Sequence, residues 1–101
     1  MAGRKRIKSD EGVNVSFTER ERWLIQEKTF AGPELTDALS KAELERGRYR
    51  VKYTLDDLDE LLGFIAAEAN HAKDAALEGE LDALFERLEE IMNGYDDGNW
   101  Q

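Results

Sequence analysis

The sequence predicts an α+β domain: a small two-stranded sheet with four helices in strand-helix-helix-strand-helix-helix order, the last two a long antiparallel acidic hairpin. Three observations carry this expectation. Val13–Phe17 and Arg48–Tyr53 alternate in character with the two-residue period of a strand, whose side chains point in turn to opposite faces. Each run leads straight into a threonine with an acid three residues on, Thr18 with Glu21 and Thr54 with Asp57, which is the spacing of a helix-opening capping box. Beyond Thr54, apolar residues recur at steps of three and four as far as Met92, the period of amphipathic helices.

The elements follow in order. Residues 1–12 are polar, charged and aperiodic, and are expected to be a flexible basic tail. Val13, Val15 and Phe17 form the inward face of a first strand. Thr18 caps a helix whose apolar side is Trp23, Leu24 and Ile25 and which ends near Thr29. Ala31-Gly32-Pro33 breaks the chain, and Pro33, the single proline, suits the first turn of a second helix. That helix carries Leu35, Ala38, Leu39 and Ala42 and is expected to stop around Gly47, a left-handed cap. A second strand spans 48–53. Thr54 then opens a helix to about Lys73 with the stripe Leu55, Leu58, Leu62, Ile65, Ala69 and Ala72, widened by Leu61 and Phe64. A last helix over 76–93 carries Leu77, Leu81, Leu84, Leu88 and Ile91, and Gly94 stops it. Residues 95–101 are expected to be a flexible C-terminal tail, leaving 13–94 as one globular domain.

Val15-Ser16-Phe17-Thr18 with Glu21 matches Val51-Lys52-Tyr53-Thr54 with Asp57 at an offset of 36 residues. Two copies are too few for a repeat array. The match fits either an internal duplication or the shared look of any strand that enters a capped helix.

Charge is divided along the chain. Residues 54–98 hold 14 acids against Lys73 and Arg87, a net of −12, whereas residues 1–53 hold 12 bases against 9 acids, a net of +3. The total of −9 disfavours indiscriminate binding to polyanions but leaves room for a local cationic surface. Cysteine is absent, which excludes disulfides and thiolate chemistry and fits a reducing compartment. No apolar run reaches the ~20 residues that span a bilayer, and no hydrophobic segment follows the basic Met1–Lys8. We therefore expect a cytoplasmic protein with no membrane association.

Catalytic and metal-binding signals are sparse. His71 is the single histidine, and Glu68-x-x-His71 places a carboxylate and an imidazole one helical turn apart, once, where di-iron carboxylate bundles need the motif twice. The glycines are scattered and make no phosphate-binding loop. Ser9, Ser16 and Ser40 have no histidine nearby in sequence. Asp96-Asp97-Gly98-Asn99 lacks the ligand spacing of a calcium loop. The expectation is a protein that is not an enzyme, with no cofactor and no metal.

The cationic strand is the feature able to carry function directly. Arg48, Arg50 and Lys52 share one face of it, and Asn14 and Ser16 join them if the two strands pair. A two-stranded ribbon of this kind fits the major groove of DNA, where Arg, Lys and Asn read base edges. The order of elements resembles the ribbon-helix-helix DNA-binding proteins over residues 13–45 and, more loosely, 49–93. That resemblance implies that Asn14, Ser16, Arg48, Arg50 and Lys52 face the groove. The helices at 55–73 and 76–93 are long for the family, and the chain is acidic. The same row also reads as ordinary solvated surface, or as the partner of acidic helices in this chain or in a second copy.

The wide stripes of the last two helices are the other candidate surface. Leu61, Phe64, Leu84 and Phe85 serve either a monomer core or a subunit interface. The leading expectation is a non-catalytic interaction protein, homo-oligomeric through its C-terminal helical hairpin, with an unidentified protein partner. A DNA-binding regulator using residues 48–52 is the alternative.

Overall fold

The structure is a computed structural model and describes residues 5–8 and 10–96. Its elements are β1 (Lys5–Arg6), β2 (Val13–Phe17), α1 (Glu19–Lys28), α2 (Pro33–Ser40), β3 (Glu43–Glu45), β4 (Arg48–Tyr53), α3 (Leu55–His71), α4 (Ala75–Asn93) and β5 (Tyr95–Asp96). The α+β class and the four helices are as expected. The main sheet has three antiparallel strands, not two, in the order β2-β4-β3.

The third strand lies where the second helix was expected to continue. α2 ends at Ser40, with the Lys41 N–H donating to the Asp37 carbonyl at 3.0 Å and the Ala42 N–H to the Leu39 carbonyl at 3.2 Å. Glu43–Glu45 then turns back on β4 through Arg46 and Gly47, whose φ angles are 53° and 79°. Positive φ at both central residues defines the tight hairpin turn whose twist matches that of the flanking strands. Gly47 is left-handed as expected, but in a hairpin and not at a helix end.

Both capping boxes form. The Thr18 hydroxyl accepts the Glu21 N–H at 3.1 Å while Glu21 Oε1 accepts the Thr18 N–H at 2.9 Å. Thr54 and Asp57 repeat the exchange at 3.1 Å in both directions. β2 and β4 pair with Val15 opposite Val51, Val13 opposite Tyr53 and Phe17 opposite Tyr49. Val15 and Val51 are also equivalent under the 36-residue offset. The ladder centred on that pair therefore relates the two strands by a local two-fold axis. β3 breaks the relation, because it lines β4 alone.

The core lies on one side of the sheet. Val13, Val15, Phe17, Val51 and Tyr53 pack there against Leu24, Ile25, Leu35 and Leu39 of the first half and the stripes of α3 and α4. Phe17 and Tyr53, equivalent under the offset, meet edge to face at 6.4 Å. The described parts of the two ends are tied together: Lys5–Arg6 pairs in parallel with Tyr95–Asp96, and Ile7 is buried. Residues 1–4, 9 and 97–101, part of the expected tails, lie outside the described residues.

Candidate functional site

Alternation along the sheet settles which side chains face outward. On β4, Val51 and Tyr53 are buried while Arg48, Arg50 and Lys52 are exposed on the opposite face. On β2, Asn14 is exposed and Ser16 half-buried on that same face, with Asn14 opposite Lys52 and Ser16 opposite Arg50. The five residues singled out from sequence thus form one contiguous polar surface.

β3 adds what the sequence did not place. Glu43 lies opposite Arg50 and Glu45 opposite Arg48, so two carboxylates border the cationic row. Glu45 Oε2 is 3.3 Å from Arg50 Nη1, and both side chains are more than half exposed. Such a pair contributes little to stability, but it offsets part of the positive charge that the row presents. The outer face carries three cations on its central strand, two acids on one flank and neutral Asn14 and Ser16 on the other. The signal for this was present in Glu43-Leu44-Glu45-Arg46-Gly47, a polar-apolar-polar run before a left-handed turn. The helical spacing of Leu35, Ala38, Leu39 and Ala42 ran into it and masked it.

The neighbours of the row are held from behind. Arg22 of α1 donates to the Leu39 carbonyl at 3.1 Å and lies 4.3 Å over the Tyr49 ring, which fixes β4 against α1 and α2. The Lys52 stem lies flat across Gly12, where a β-carbon would fall 2.0 Å from Lys52 Cγ. Gly12 therefore sets the path of Lys52. The Ser16 carbonyl accepts Arg87 Nη2 at 2.9 Å, joining β2 to α4.

The hairpin residues divide. Leu61 and Leu84 are 0 % and 2 % exposed inside the monomer core. Phe64 and Phe85 are half-buried and pack against that core. Leu61 and Leu84 belong to the same buried cluster as the inward side chains of the sheet.

Elsewhere, Arg20 and Glu80 form a bidentate surface pair at 2.8 Å, which raises the Arg20 pKa and lowers that of Glu80 through the shared hydrogen bonds. His71 is exposed, with Nδ1 2.8 Å from the Ala67 carbonyl one turn back on its own helix. Among the described residues no three His, Asp or Glu side chains converge as a metal site would require. No helix among them is long and apolar enough to cross a membrane. Scans of protein-family models, curated proteins and solved structures gave no match.

Proposed function

We propose that the chain is a non-catalytic interaction protein whose docking surface is the outer face of its sheet. The observation that supports this is the one-sided cover of the sheet: the core occupies one face, while Asn14, Arg48, Arg50, Lys52, Glu43 and Glu45 stand exposed on the other. A flat surface of interspersed charge suits a protein partner with a complementary pattern, since such complementarity governs register and choice of partner more than raw affinity. Leu61 and Leu84 are buried in the monomer core and Phe64 and Phe85 only half-exposed, which favours the sheet face as the docking surface over the hairpin.

A DNA-binding regulator is the second reading, and the pairing of Asn14 with Lys52 and Ser16 with Arg50 across a locally two-fold ribbon favours it. Two features weigh against it. The major groove admits a two-stranded ribbon, and here β3 widens the sheet on one side. Glu43 and Glu45 would also approach a phosphate backbone.

One variant separates the readings. Arg48→Ser, Arg50→Ser and Lys52→Ser together leave Tyr49, Val51 and Tyr53 in place and should preserve the fold. Crosslinking of the native chain in cell extract, followed by mass spectrometry, should recover a protein whose capture is lost in the triple variant. A gel shift on random duplex DNA supplies the opposing outcome. Binding that falls by about 0.9 log unit per log unit of salt for each phosphate contacted, and that is lost in the triple variant, establishes the regulator instead.

A further inference from the structure

A second surface lies on the solvent side of the hairpin. Glu60, Gly63, Phe64 and Ala67 of α3 line an open furrow of about 330 Å³. Gly63 and Ala67 lie on the exposed side of the helix. Phe64 packs against the core and also borders the furrow, so part of its ring remains available.

Gly63 is not explained by the chain's own packing. It sits in the interior of a 17-residue helix, where glycine weakens the helix relative to alanine. A β-carbon built on it meets nothing within 4 Å. The missing side chain makes room for nothing in this molecule. It does allow another backbone to approach α3 closely beside Phe64.

The surrounding charge determines the occupant. Every exposed Asp, Glu, Lys or Arg within α3 and α4 is acidic, including Asp56, Asp59 and Glu60 next to the furrow. A second copy laid α3 against α3 would bring these acids face to face. We propose that the furrow is a docking site for a basic amphipathic helix of another protein, with apolar anchors against Phe64 and cations on the acidic rim. Helix-in-groove recognition of this type uses anchors at i, i+3 or i+4, and i+7. The site is separate from the sheet face and does not depend on it.

The test uses the full chain and a fluorescein-labelled peptide of about 18 residues, long enough to form a helix. The peptide contains leucine, alanine and lysine with the leucines on one helical face, and its control is a scrambled isomer of equal charge. Fluorescence anisotropy near physiological salt is expected to show the patterned peptide binding at least about tenfold more tightly than the scrambled one. Gly63→Leu fills the furrow from a position with open space above it, and should weaken binding about tenfold or more with an unchanged melting curve or a higher one. Ala67→Leu is the second blocking variant and should act alike. The triple variant Arg48→Ser, Arg50→Ser, Lys52→Ser should bind normally. Equal affinity for the two peptides, insensitivity to both blocking variants, or no binding by about 1 mM overturns the proposal.

Discussion

Arg87 on α4 grips Glu21 on α1 through two hydrogen bonds, Nε to Oε2 at 2.9 Å and Nη2 to Oε1 at 2.7 Å. The same Glu21 closes the capping box at Thr18, and the same Arg87 holds the Ser16 carbonyl and lies 5.7 Å from the Phe17 ring centre. One pair thus fastens the last helix to the end of β2 and the start of α1. The two side chains are 32 % and 19 % exposed, so solvent screens them less than a surface pair. We expect Arg87→Ala to lower stability by about 1.5–3 kcal/mol, the range for hydrogen bonds to charged groups. Denaturant titration of Arg87→Ala, Glu21→Ala and the double variant measures the coupling, and strictly additive losses would contradict the linkage.

Leu61 and Leu84 are expected to behave as core residues. Leu61→Ala or Leu84→Ala should each cost about 2–5 kcal/mol at a protein concentration where sedimentation detects no change of mass. An effect that grows with dilution would instead restore the hairpin as a subunit interface.

Gly63 and Gly79 both lie inside helices, and a β-carbon on either meets nothing within 4 Å. Replacing each by alanine should raise stability by about 0.5–1 kcal/mol. Thermal melts of the two variants check this, and a loss of stability at either position would show a contact that the open space does not suggest.

The buried Tyr53 hydroxyl donates to the Leu35 carbonyl at 2.6 Å, joining β4 to α2. Burial, with a smaller contribution from the Asp57 charge, raises the phenol pKa well above its ordinary value. Because the folded state holds this proton more tightly than the unfolded chain, its contribution is intact below the unfolded pKa of about 10 and is lost as pH climbs from there towards the folded value. Stability should therefore fall above about pH 10, and Tyr53→Phe should remove that part of the alkaline loss. At neutral pH the same variant removes one hydrogen bond to a carbonyl that α2 already pairs, and should cost about 0.5–1.5 kcal/mol. Denaturation midpoints across the alkaline range, in both proteins, decide it.

Local signals were legible residue by residue. Thr18 with Glu21 and Thr54 with Asp57 announce helix starts because a capping box is made within four residues, and both formed as expected. The alternation at 13–17 and 48–53 placed the strands and sorted Arg48, Arg50 and Lys52 from Tyr49, Val51 and Tyr53, because side-chain direction in a strand follows from the pleat alone. Gly47 announced a left-handed residue, but that conformation ends a helix as readily as it closes a hairpin. Choosing between them required β4 to be present as the partner of Glu43–Glu45, a contact between strands that no helical or strand period encodes. Tertiary structure likewise decided that acids from β3 border the cationic row, and that Leu61 and Leu84 are buried in the monomer core. An apolar stripe states how much surface must be covered, whereas only the packed arrangement of the elements determines what covers it.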